Sequence, residues 1–262
     1  MELRAEELTA WLGQYFWPFT RVAACLGVAP LFGSRSVPAR VRLVVALVLT
    51  VAVAPLVPPV PQVEPLSPQA LLILAQQILI GAALGFGIQI LFTALLVGGQ
   101  LAAQGMGLGF AAMVDPEHGT QVPVVGQLYV LVATLLFLAF DGHLTLIRIL
   151  AESFRTLPIG PEGLAAGRYW DLATWGGWLF AGALAVALPT VAALLLVNIA
   201  FGVLTRAAPQ MNVFAVGFPL AILFGLLVLL AGLPAFGPRF LALAGEAFGL
   251  MGRVAGVALP GG

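Results

Sequence analysis

The sequence predicts an all-α polytopic membrane protein of about six long, kinked apolar helices, and three observations carry that prediction. Apolar residues fill 61% of the 262 positions and charged residues only 8%, whereas soluble domains carry roughly a quarter charged residues. Stretches without any charged side chain run from Pro65 to Val114, from Leu172 to Thr205 and from Ala207 to Pro238, each long enough for a span of about 20 residues. Within them Gly81, Gly85, Gly87, Gly98, Gly99 and Pro189 interrupt the apolar pattern without adding charge. Kinked or broken helices are the expected result, and non-helical backbone at that depth survives only where protein or a wet cavity covers it.

Six apolar segments follow in order: Ala10 to Phe32, Leu43 to Val57, Ala70 to Ala103, Val124 to Phe140, Leu172 to Leu204 and Val213 to Leu233. The first begins after Glu2, Arg4, Glu6 and Glu7, the wrong charge for a cleavable basic leader, so it is expected to stay in the mature protein. SRSVPAR joins the first segment to the second, and PLVPPVPQVEPLSP, a stiff extended turn, joins the second to the third. MGLGFAAMVDPEHGTQVP follows the third, and TRAAPQMN separates the last two. Between the fourth and fifth segments, Leu144 to Leu157 is amphipathic, with Arg148, Glu152 and Arg155 at helical spacing, and is expected to present a solvated or interfacial face. Gly81 with Gly85 and Gly105 with Gly109 are four apart, the spacing that lets helix backbones approach closely.

Counting positive charges places the Arg35, Arg40 and Arg42 loop inside the cell and the acidic N-terminus outside, and Arg206 agrees. Arg239 and Arg253 would then face outward, so either the helix number is odd or one segment does not cross. Trp11 with Trp17, and Trp170 with Trp175 and Trp178, each open an apolar segment, as interfacial anchors do.

Most kinds of chemistry lack the residues they need. All eleven cations are arginine, eleven acids balance them, and nothing points to nucleic acid. Cys25 stands alone, which excludes an internal disulfide, and with only His118 and His143 beside it no convincing zinc site can form. The serines are Ser34, Ser36, Ser67 and Ser153, none placed as a nucleophile in a glycine-rich span, and without lysine there is no phosphate-binding loop. An enzyme is not expected, and no cofactor or metal is implied.

Arg21 is the one ionisable residue in the middle of a span, in FTRVAACLGVAP, where charge is costly unless it serves a purpose. An intersubunit polar contact or a backbone-carbonyl partner is expected for it, with a wet cavity or an offset helix end as alternatives.

The run from FAAMVDPEHGTQVPVVGQL to FDGHLTLIRILAESFRTLPIG resembles the signature region of the FliR family of flagellar biosynthetic proteins and their type III secretion counterparts. The likeness rests on Gly107, Gly109, Phe110 and Ala111 leading into Val114, Asp115 and Pro116, on Pro123, on Phe140, Gly142, His143 and Leu144, and on Leu157, Pro158, Ile159 and Gly160. RSVPARVR as the first loop, the length and the apolar segments extend it over nearly the whole chain. The resemblance implies a single integral membrane domain, with a FliP-like portion over 1–180 and a FliQ-like helical hairpin over 181–262. Pro189 and Pro219, one in each arm, fit that hairpin.

By the same resemblance the chain would be one copy in a hetero-oligomeric export gate, in the bacterial inner membrane at the flagellar basal body, with FliP-like, FliQ-like and FlhB-like subunits. It would nucleate that channel and help seal it while unfolded flagellar polypeptides wait to pass, in a helical cone rising above the membrane plane. The loop from Gly105 to Pro123 would be the pore plug. Its residues suit a soft seal: Gly105, Gly107 and Gly109 give mobility, Met106, Phe110 and Met113 give adaptable apolar bulk, and Asp115 with Pro116 pins a turn. A different class, a stand-alone secondary transporter or channel with a broken-helix site, would need two related halves with polar groups at the breaks. No internal repeat supports it.

Overall fold

Long apolar runs without charge leave helix as the backbone arrangement that satisfies its own polar groups in lipid. The computed structural model describes residues 5–34, 37–64, 67–108, 124–207 and 213–258. Among them are seven α-helices, α1 (Ala5–Val28), α2 (Ala39–Val53), α3 (Pro68–Gly105), α4 (Val124–Ala139), α5 (Gly142–Thr156), α6 (Ala166–Ala207) and α7 (Val213–Ala255), with a 3-10 turn at Ala54–Leu56 after α2. Four helical spans are long and apolar enough to cross a membrane, and five if α4 and α5 count as one broken span.

The expectation of about six helices is corrected to seven. The added one is α5, whose apolar positions Leu146, Ile149, Leu150 and Phe154 form a buried stripe while Arg148 and Glu152 pair at 3.0 Å on the exposed side. Its half-polar composition kept it out of a count of apolar runs. The last helix also reaches 22 residues beyond Leu233, from Pro234 to Ala255. Pro234 and Pro238 sit four apart, so the hydrogen bonds they remove lie on one stripe of α7 and the rest of the ladder carries the helix onward.

The chain forms two compact units. The first takes Met1–Ile90, Leu138–Gly176 and Ala244–Gly262, and the second takes Leu91–Phe137 and Gly177–Leu243. In the first unit α1 packs on α2 and lies backbone to backbone against the first half of α3. A Cβ added at Gly81 would strike the carbonyl oxygen of Arg21, and one at Gly85 that of Cys25. The four-residue glycine spacing therefore serves the crossing of α3 with α1. Trp175 and Met251 close the same unit over Gly87, where a Cβ would lie 3.1 Å from the indole.

In the second unit the later half of α3 meets α4 in the same way, because a Cβ at Gly99 would lie 2.7 Å from the Gly126 nitrogen. Phe92 and Phe137 pack edge to face with centroids 5.7 Å apart, and Tyr129 of α4 leans on Phe236 of α7 at 5.0 Å.

Gly85→Ala is expected to cost about 1–3 kcal/mol, the usual penalty for an extra methyl in a filled space. That corresponds to a melting temperature lower by several degrees, on the order of 5 °C for a chain of this size. Gly176→Ala, where no atom lies within 4 Å of the new methyl, is the matched control and should melt no lower than the parent.

Candidate functional site

Two places in the fold bear on function: the buried arginine of α1, and the end of α3 from which the 105–123 loop departs.

Arg21 is 0% exposed and is held by the first unit alone. Its Nε donates to Gln77 Oε1 of α3 at 2.8 Å, its Nη1 to the Ser153 carbonyl at 3.0 Å and to Ser153 Oγ at 3.2 Å, and its Nη2 to the Leu157 carbonyl at 2.8 Å. Ser153 Oγ donates onward to the Leu150 carbonyl at 2.7 Å, so its lone pairs face the guanidinium. Phe154 lies beneath, with the guanidinium carbon 4.2 Å from the ring centroid, within range for a cation–π contact.

Every one of these partners is uncharged. The cation is answered instead by the C-terminal end of α5, where the Leu157 carbonyl and the Ser153 carbonyl, the latter shared with the Leu157 amide at 2.9 Å, lie at the negative end of the helix dipole. Arg21 thus ties α1, α3 and α5 together through one planar fork. The Gln77 amide has turned its oxygen to the arginine, and its Nε2 is buried without a partner.

Three of the eight loop residues named from the sequence are described, and they close α3. The Met106 amide bonds the Ala102 carbonyl at 3.1 Å and the Gly107 amide bonds that of Gln104 at 2.9 Å. Gly107 has φ of 80°, the left-handed conformation in which glycine ends a helix without Cβ strain. Met106 is wholly buried and its thioether lies on Gly225 of α7, where a Cβ would meet the sulfur at 2.9 Å. The Gly105 carbonyl accepts from Asn198 Nδ2 of α6 at 3.4 Å. The loop therefore leaves from a point pinned by two other helices. Gly109, Phe110, Met113, Asp115 and Pro116 lie outside the described residues.

Arginine has a recurring task in this lysine-free chain. Arg42 donates to the Phe32 and Ser34 carbonyls at 2.9 and 3.2 Å. Arg168 donates to the Val254 carbonyl at 3.0 Å, beside Thr156 Oγ1 on that of Ala255 at 2.6 Å. Arg239 donates to that of Ala185 at 3.2 Å. With Arg21, four arginines satisfy main-chain oxygens at helix ends or breaks, work suited to a planar fork of donors. Sequence reasoning singled out Arg21 and expected an intersubunit or backbone-carbonyl partner for it, without naming Gln77, Ser153 or Leu157. The signal available was the Gln76–Gln77 pair in an otherwise charge-free run. Among the described residues no three His, Cys, Asp or Glu side chains gather closely enough to hold a metal ion.

Long apolar helices and polar groups devoted to the chain's own backbone define a polytopic α-helical membrane subunit. Residues 12–247 match the family described as bacterial export proteins, family 1. The chain is 41% identical over 254 residues to the flagellar biosynthetic protein FliR of Escherichia coli K12, covering 97% of each chain. It is 39% identical to FliR of Pectobacterium carotovorum, covering 95% of each, and 31% identical to FliR of Bacillus subtilis, covering 81% of this chain and 83% of that one. The chain belongs to this FliR family of bacterial export proteins and is a membrane-spanning component of the flagellar export apparatus.

Proposed function

We propose that this chain acts as a single copy in the flagellar type III protein export gate of the inner membrane, nucleating a channel with FliP-like and FliQ-like subunits beside an FlhB-like one. In that role residues 1–180 are its FliP-like portion, 181–262 its FliQ-like hairpin, and the 105–123 loop the seal that holds the pore shut until an unfolded flagellar polypeptide passes.

One observation supports the assembly above others. Helices α3, α6 and α7 have 38, 42 and 43 residues, so at about 1.5 Å per residue they run for about 57 to 65 Å, roughly twice the hydrocarbon thickness of about 30 Å. Their charge-free stretches, 68–105 in α3, 172–205 in α6 and 213–238 in α7, still run for about 57, 51 and 39 Å, with Leu184, Leu196, Leu223, Leu230 and Leu233 exposed on the single chain. A bilayer alone does not cover that much apolar surface, and neighbouring subunits do.

The test is the mass and subunit content of the assembly purified through this chain, with the partners co-expressed. One copy of this chain among several FliP-like and FliQ-like subunits is the expected composition. A monodisperse monomer that carries substrate flux by itself would replace the gate with a stand-alone transporter.

A further inference from the structure

Helix α6 runs unbroken through Pro189. A proline there has no N–H for the carbonyl four residues earlier, which belongs to Ala185. That carbonyl accepts from Arg239 Nη1 of α7 instead, at 3.2 Å. The neighbouring helix supplies the donor that α6 lacks, and one guanidinium is thereby fixed in place. Arginine has five N–H donors, and this bond uses one.

The fixed guanidinium borders a cleft of about 120 Å³ in the second unit. At roughly 30 Å³ per water, that is room for the tip of one side chain. None of the residues lining it is acidic, and the stretches that build its walls, 124–139 and 172–245, hold no aspartate or glutamate. Tyr129 and Thr190 are the other polar residues of the lining, 8% and 7% exposed, and each brings a hydroxyl. One cation and two hydroxyls therefore border a space whose remaining walls are apolar, and no counter-charge comes with them.

The cleft opens on the leucine face that neighbouring subunits cover in the proposed assembly. Leu233 both lines it and is exposed on the single chain, and Leu230, three residues back, is exposed too. Gly232, also in the lining, has no atom within 4 Å of where a Cβ would stand, so another chain can approach there unobstructed. Arg239 itself is exposed on the single chain. A subunit seated on this face takes the guanidinium out of water, and a cation removed from water without a counter-charge is costly. The second charge has to come from the subunit that covers it.

We propose that the cleft beside Arg239 receives the carboxylate of an aspartate or glutamate from a neighbouring subunit, an inference that rests on the reading of this chain as one subunit of a larger gate. Guanidinium and carboxylate pair fork to fork, the two hydroxyls offer further donors, and the bond to Ala185 orients the arginine before the neighbour arrives, which lowers the ordering cost of binding. The pair also sets register. A leucine face packs against many others, whereas a cation within it accepts only a neighbour with an acid at the matching height.

The absence of lysine from this chain makes the position chemically addressable. Pro189→Ala combined with Arg239→Lys gives the Ala185 carbonyl a backbone amide and places the chain's one lysine side chain at 239. The assembly is purified through this chain with its partners co-expressed, treated with a membrane-permeant carbodiimide and digested for peptide mass spectrometry. An amide link from position 239 to an aspartate or glutamate of another subunit is the expected product. Arg148→Lys is the control for reactivity, since that position pairs with Glu152 at 3.0 Å and should couple within α5. In a second pair, Pro189→Ala with Arg239→Gln, retention of the neighbour through a detergent wash should fall about tenfold or more relative to Pro189→Ala alone, the scale for a buried charge left without its partner. A complete assembly with no link at 239 while the control couples, a link to an acid of this chain itself, or undiminished retention in the glutamine pair would overturn the proposal. Loss of this chain from the membrane in both pairs would make Arg239 a folding residue and overturn it as well. A purified monomer without partner subunits is a distinct outcome, which removes the gate reading and the proposal with it.

Discussion

Arg21→Leu is expected to reduce the amount of this protein in the membrane fraction to about a tenth or less, the largest effect of any single side chain. The substitution removes the cation and leaves the Gln77 amide oxygen and the Leu157 carbonyl facing a buried methyl group, while the Ser153 carbonyl keeps the Leu157 amide. Each buried acceptor left without a donor costs roughly 1–3 kcal/mol, and two of them take a large share of the total stability of about 5–15 kcal/mol that a folded chain possesses. Arg21→Lys should fall between leucine and the parent, because an ammonium keeps the charge and loses the fork that spans two carbonyls. Gln77→Glu is expected to be tolerated. It keeps an oxygen near Arg21 Nε, gives the buried cation a counter-charge, and discards an Nε2 that has no partner. Protease resistance and abundance of the three variants in membranes decide the matter. Parental abundance of Arg21→Leu would reduce the cluster to a packing detail.

How much of this was legible in the sequence depends on the range of each signal. The long helices were readable because their evidence is local: fifty residues without a charge leave few alternatives in lipid. Helix α5 escaped the count because its evidence is periodic rather than compositional, with Arg148, Glu152 and Arg155 diluting a stripe that only the fold shows to be buried. The end of α7 was misplaced for the opposite reason. Pro234 and Pro238 look like punctuation in one dimension, and inside a membrane-spanning helix they are passed over.

Site geometry was legible only on one side of each contact. Arg21 stood out as a cation in a span, yet Gln77 is 56 positions away and Ser153 132, and no periodicity links them. Gly81 and Gly85 announced a close helix crossing without naming α1 as the partner. Pro189 announced a free carbonyl at Ala185, and its donor lay 54 positions downstream at Arg239.

Deleting residues 109–113 is expected to leave the assembly intact and to make it leak ions. The expectation follows from where α3 stops. Met106 is buried on Gly225 and Gly107 closes the helix in a left-handed conformation, so the described contacts of α3 are kept when the five residues after Leu108 are removed. The deletion takes away Gly109, Phe110 and Met113, and with them much of the apolar bulk that a soft seal requires. Phe110→Ala and Met113→Ala should each leak less than the deletion, since either leaves the other side chain to fill the opening. Met106→Ala should behave differently: it empties a packed site and is expected to lower stability by about 2–5 kcal/mol, as other buried Met→Ala changes do, without a specific leak. Single-channel conductance of the reconstituted assembly, measured beside its subunit content, separates these outcomes. A fully assembled deletion with parental conductance would remove the seal from this loop and leave 105–123 as a connection between α3 and α4.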